Sequence, residues 1–157
     1  MCHYVLSKQS WYKSEHLQIL CFVSFFSDVT LKSQKQMQIS NMRELNESNL
    51  AAEEKDDVLK HASAAVEILD KNPDVGDYIK TVLIQSHGSL NGVGLVDNPP
   101  EELHPLSKVF VICDNFVKIL LNPAMPSTKK DILPILYSRF TNPSYQKILK
   151  ALESRYP

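Results

Sequence analysis

Two histidines and two aspartates hold most of the chemistry open to this chain: Asp28, His61, His87 and Asp114, separated by 33, 26 and 27 residues. Each interval is about one helix plus one loop, so an antiparallel helical bundle can bring all four side chains to one inner cavity. Two imidazoles with two carboxylates suit a first-row divalent metal such as iron, manganese or zinc. Such an ion lowers the pKa of a bound water and makes hydroxide available at neutral pH. Plain structural roles are open to the same residues. His61 fits a hydrogen-bonded histidine at the edge of a core, Asp28 a helix terminator, and Asp114 an ion-pair partner of Lys118 one turn on. Spacing by itself leaves both readings standing.

The loop between the second histidine and the second aspartate is distinctive. His87 closes an apolar-periodic segment of Val75, Ile79, Val82 and Leu83, and Gly88, Gly92 and Gly94 follow before Pro99-Pro100. Glycine is entropically costly where its freedom is unused, so this cluster predicts a path needing positive φ or close backbone approach. The next helical period runs through Leu106, Val109, Phe110, Cys113, Val117 and Leu120, with Asp114 set inside it. A histidine before the loop and an aspartate after it could meet across it.

The elements that must position these groups follow from apolar periodicity. The spacing predicts helices over about 14–26, 50–70, 75–86, 103–121, 129–140 and 144–154, with a short helix around 42–45 as an option. Ser48 or Asn49 is placed to cap the second of these, and Ser127 or Thr128 the fifth. Asn72-Pro73, Asn122-Pro123 and Asn142-Pro143 supply breaks, while Pro134 must be tolerated by its helix or start it. No period-2 alternation is long enough for a strand. Residues 1–13 read as an irregular lead-in, and 14–157 as a single all-α domain of about six to seven helices.

Composition narrows the partners. A net charge of −1 gives no global field that would favour nucleic acid or an anionic membrane. The apolar window 17–26 is about half of the roughly 20 residues needed to cross a bilayer. It has no basic leader and no small-residue cleavage site, so it reads as a buried helix. Cys2, Cys21 and Cys113 have no metal-type spacing, and the last two lie in apolar runs, where a buried reduced thiol is expected. That usage fits a cytoplasmic protein. His3, His16 and His104 read as solvent or helix-end residues, and Glu101 and Glu102 as acids at a helix N-terminus. Trp11, Tyr12, Phe22, Phe25 and Phe26 read as packing, since no basic groove accompanies them.

From about Glu15 to Arg155 the chain resembles the HD-GYP domain, an all-helical metal-dependent phosphohydrolase that hydrolyses cyclic-di-GMP. Phe25-Phe26-Ser27-Asp28-Val29 stands where that family has its His-Asp pair after an apolar helix. Leu50 to Glu54, then His61 and Glu67-Ile68-Leu69, resembles the capped helix with a ligand histidine. Ser86-His87 falls at the paired histidines, and Asn91-Gly92-Val93-Gly94-Leu95-Val96 at the Asp-Gly-x-Gly-Tyr-Pro loop. Val111 to Phe116 resembles the helix whose aspartate closes the metal site, and Phe140 to Pro143 the Phe-Asp-Pro segment. The resemblance implies an HD-domain-like helical bundle that lacks the family's first helices, with Asp28, His61, His87 and Asp114 as metal ligands.

The departures bear on function. Ser27 and Ser86 replace two ligand histidines, and a hydroxyl is a poor ligand for these metals beside imidazole. Asn91, Leu95 and Val96 replace the Asp, Tyr and Pro of the signature loop. The lysine expected soon after the His-Asp pair is out of register, with Leu31 in its place and Lys32 one later. Asn122-Pro123-Ala124-Met125 stands where the family has an Arg-Pro-Tyr-Arg segment, and Asn cannot supply the bidentate phosphate contacts of an arginine fork. The resemblance then implies a degenerate domain, working as a non-catalytic signalling or protein-interaction module with a protein partner or a second copy of itself. It would hold no cofactor or one divalent transition metal, iron or manganese. The alternatives are a cyclic-di-GMP phosphodiesterase with a one-metal site, and a cyclic-dinucleotide sensor without turnover, which the missing arginine and tyrosine disfavour.

Overall fold

The apolar periods become helices, and short polar segments between them add more. The computed structural model describes residues 1–122 and 128–155, without the side chains of Lys129 and Lys130. Among the described residues the order is α1 (Cys2–Ser7), α2 (Ser14–Phe26), α3 (Gln34–Met37), α4 (Met42–Glu47), α5 (Ala52–Leu69), α6 (Asp77–Ile84), α7 (Pro105–Leu121), α8 (Lys129–Arg139) and α9 (Pro143–Glu153), with no strand. The all-α expectation holds. The helices beyond the six or seven expected are α1 and α3, each too short to show a period.

Local hydrogen bonds decide where these helices start. At α3, Ser33 Oγ accepts from Gln36 N at 3.3 Å and Gln36 Oε1 accepts from Ser33 N at 3.0 Å, a reciprocal capping box. Asn41 Oδ1 accepts from Glu44 N at 2.8 Å to start α4. The long α5 does not use Ser48 or Asn49. Its N-cap is Ala51, whose amide donates to the Glu54 carboxylate at 2.8 Å, while Ser48 Oγ donates to Leu45 O at the end of α4. Thr128 is the N-cap of α8, and Pro134 lies inside that helix. Glu101 and Glu102 fall in the turn before α7, which His104 starts by accepting from Leu106 N at 3.2 Å. Ser127 lies outside the described residues.

Helix α7 forms the centre of the packing. Helices α1, α2, α6, α8 and α9 all lie against it, and its Leu106, Val109, Phe110, Ile112 and Phe116 are buried in the main core. Residues 1–13 are more than a lead-in, because α1 delivers Val5 and Leu6 fully buried into that core. Two adjacent apolar residues in a six-residue helix give no sequence period, although burying each stabilises the fold by roughly 1.5–3 kcal/mol. A smaller cluster joins Leu31, Leu45, Val58 and Leu95 around the N-terminal half of α5, while Ala65 and Leu69, further along the same face, belong to the main core. Cys113 is buried as expected, whereas Cys21 is exposed. Trp11, Tyr12, Phe22 and Phe26 pack against the core, but Phe25 is 78% exposed. No helix among the described residues is long and apolar enough to cross a membrane.

The glycine loop takes the path its composition predicts. Gly88, Gly92 and Gly94 have φ of 79°, 75° and 87°. A Cβ on Gly88 would lie 2.6 Å from Pro99 Cγ, whereas one on Gly94 would meet nothing within 4 Å. Both positions charge an L-residue for the left-handed backbone, roughly 1–2 kcal/mol. Only Gly88 adds a collision with a rigid ring. In denaturant unfolding, Gly88→Ala is therefore expected to lose at least about 1 kcal/mol more than Gly94→Ala; equal losses would mean that Pro99 yields freely.

Candidate metal centre

Three elements converge on one point beside α7. The first is the turn after α2. Its residues are held by bonds from Val29 N to Phe26 O at 3.2 Å and from Leu31 N to Asp28 O at 3.0 Å. Thr30 Oγ1 donates to His61 O at 3.4 Å, which ties this turn to α5 and sets Asp28 against it. The second element is the middle of α5, where His61 is buried rather than at the edge of the apolar face. The third is the end of α6, where Gly88 N bonds Gln85 O at 3.0 Å and Val96 N bonds His87 O at 3.2 Å. The glycine loop thus closes over His87 and leaves its ring facing α5.

The resulting geometry joins Asp28, His61 and His87. One ligand atom from each lies within 4.8 Å of the others. The two imidazole Nε2 atoms are 2.7 Å apart, and His61 Nε2 is 3.8 Å from Asp28 Oδ1. His61 Nδ1 is 2.6 Å from Val58 O, and a carbonyl can only accept, so Nδ1 carries the proton and Nε2 presents its lone pair. His87 Nε2–H then donates to His61 Nε2. Carbonyl-anchored Nδ1–H is the arrangement that orients metal-binding histidines.

The electrostatics keep both rings neutral. Burial first, then the Lys118 ammonium and His61, push His87 well below the usual histidine range. Burial also lowers His61, against opposing contributions from its bond to Val58 and from Asp28. Neutral imidazole is the ligating form. Asp28 Oδ1 is buried with no hydrogen-bond partner among the described residues. An orphaned carboxylate oxygen costs desolvation energy that a cation would offset. The donor set therefore fits a divalent transition metal, with two imidazoles and one carboxylate. Ligation would replace the contact between the rings. Asp28, His61 and His87 would hold the ion, the His87 proton would move to Nδ1, and the two Nε2 atoms, now 2.7 Å apart, would turn to the ion.

Asp114 does not join these three. It lies on α7 next to them, but its Oδ2 is 3.1 Å from Lys118 Nζ, the ion-pair role open to it from the sequence. Burial raises the Asp114 carboxyl, and Lys118 partly offsets this. Ser27 is buried at the end of α2, and Ser86 Oγ is buried with no hydrogen-bond partner among the described residues. The residues of the glycine loop pack against α5. Gly94 N donates to Leu59 O at 2.7 Å, Gly92 packs against Ser63, and Leu95 is buried with Val58. Asn91 Oδ1 turns back to accept from Ser89 Oγ at 2.6 Å and Val93 N at 3.1 Å. Lys32 ion-pairs with Asp57 at 3.0 Å on the surface. Pro123, Ala124 and Met125 lie outside the described residues.

Sequence reasoning missed the cavity of about 410 Å³ that borders the centre. It is lined by Asp28 and Asp114 together with Leu17, Phe110 and, at the start of α1, Cys2 and its N-cap Met1. Nothing in residues 1–13 signals this, because no ligand-type spacing links them to the rest. The sequence matches no protein-family model, no curated protein and no solved structure.

The two buried imidazoles make stability depend on pH. They are neutral in the folded protein and gain protons readily once unfolded, near the ordinary value of 6.5. Their contribution is present above that value and is lost as pH falls towards their lower folded values. Chelator-treated protein is expected to show a falling Tm between about pH 7 and pH 5, and His87→Gln a shallower fall. Parallel melting curves for the two proteins would contradict this.

Proposed function

We propose that this chain is a degenerate HD-GYP-type domain, a helical phosphohydrolase body that acts as a non-catalytic signalling or protein-interaction module in cyclic-di-GMP-related regulation. The reading rests on one observation: among the described residues only Asp28, His61 and His87 converge as a ligand set, while Asp114 is paired with a lysine. Ser27 and Ser86, at two further ligand positions of the resemblance, offer hydroxyls. Hydrolysis by a two-metal clamp needs ligands for both ions on the attacking and leaving oxygens. Three converging groups can hold one ion, iron or manganese in this reading.

A second reading, a one-metal phosphodiesterase, draws on the buried, unpartnered Asp28 Oδ1 beside the 410 Å³ cavity. A single ion there would supply Lewis acidity and an activated water. Asp28, His61 and His87 would hold that ion, and the apolar wall from Leu17 and Phe110 would limit water around it.

The two readings separate in one assay. Purified protein incubated with cyclic-di-GMP and Mn²⁺ or Fe²⁺ is expected to form no linear dinucleotide or GMP. Turnover that disappears in His87→Ala would replace the first reading with the second. Elemental analysis is expected to find no more than one Mn²⁺ per chain, and less in His87→Ala than in the wild type.

A further inference from the structure

We infer that Lys118 is a built-in cation that holds Asp114 out of the ligand set and so limits how many metal ions the centre takes and how tightly. The inference rests on the metal-centre reading above. Asp114 and Lys118 are one turn apart on α7, with Nζ 3.1 Å from Oδ2. This is no surface pair: the Lys118 side chain is only 10% exposed, and Asp114 Oδ2 is buried, held by the charge of the ammonium and by no aligned hydrogen bond among the described residues. Screening by water is weak at such a site, so the ammonium neutralises the carboxylate strongly. A neutralised carboxylate contributes little to attracting a dication.

The ammonium also acts on the ligands themselves. Its field reaches both imidazoles and opposes positive charge on each. A metal ion bound between those rings would meet the same repulsion at twice the charge. The field of Asp114 extends to Asp28 and His61, so the carboxylate is close enough to matter to an ion held there. Both Asp28 and Asp114 line the same cavity. The chain therefore has a fourth ligand of the right type in the right region, occupied by a lysine from its own helix.

The test is calorimetric titration with Mn²⁺, with stoichiometry checked by elemental analysis after dialysis. Lys118→Met is expected to bind Mn²⁺ about tenfold or more tighter than wild type, or to gain an ion per chain. Lys118→Arg, which keeps the charge, is expected to resemble wild type. The double variant Lys118→Met/Asp114→Asn is expected to lose the gain. If wild type binds one ion and Lys118→Met binds it no differently, this inference fails and the metal-centre reading stands. If neither binds Mn²⁺, both fail. If only Lys118→Met binds, the lysine is the barrier and the inference holds. Should Lys118→Met not fold, Asp114→Asn decides: leaving the ammonium uncompensated is expected to weaken Mn²⁺ binding about tenfold, and unchanged or tighter binding overturns the inference.

Discussion

The return of the glycine loop across α5 is the constraint on which the centre depends. His61 and His87 come from different helices, and nothing in α5 or α6 alone makes their rings meet. The loop does so by three contacts. Gly88 turns the chain at φ 79° against Pro99, Gly94 N bonds Leu59 O at 2.7 Å, and Leu95 fills the small core beside Val58. Val58 in turn presents the carbonyl that fixes the His61 tautomer. The same few residues thus set both the distance between the rings and the direction of a lone pair. Positive φ is cheap for glycine alone, and three such positions in close succession explain why the chain spends three of its four glycines there.

Burial then determines what state these groups are in. Removed from water, an imidazole favours its neutral form, and a carboxylate needs a donor or a cation. The centre answers these demands unevenly. The two histidines satisfy one another, Asp114 Oδ2 has the Lys118 ion pair but no aligned hydrogen bond, and Asp28 Oδ1 has no hydrogen-bond partner among the described residues. The unsatisfied oxygen and the neutral rings make the site receptive to a cation. The lysine on the neighbouring turn of α7 adds a charge of the opposite tendency. In the proposal above, a metal ion at Asp28 and the Lys118 ammonium at Asp114 act in opposite directions on the same pocket.

The role proposed for the domain follows from that balance. Three converging ligands, two serines at neighbouring positions and an engaged Asp114 leave too few groups for a two-ion clamp. In that proposal the helical body outlasts the ligands it has lost, because the apolar burial centred on α7 stabilises it.

Much of the fold was legible in the sequence. Apolar residues at three- and four-residue spacing located α2, α5, α7 and α9 to within a few residues, because each buries a continuous face and the period records it. The positive-φ glycines were legible for a similar reason, since composition reports backbone demand directly. The short helices α1 and α3 were not, because a single turn has no period, and Ala51 as the α5 cap depended on where Glu54 could reach. For the site, residue type and interval marked Asp28, His61, His87 and Asp114 as a candidate set. Only the tertiary structure decided that three of them meet and that the fourth faces Lys118. The choice between ligand and ion-pair partner depends on ångström-scale side-chain direction and on the exclusion of water, and neither is written in spacing along a chain.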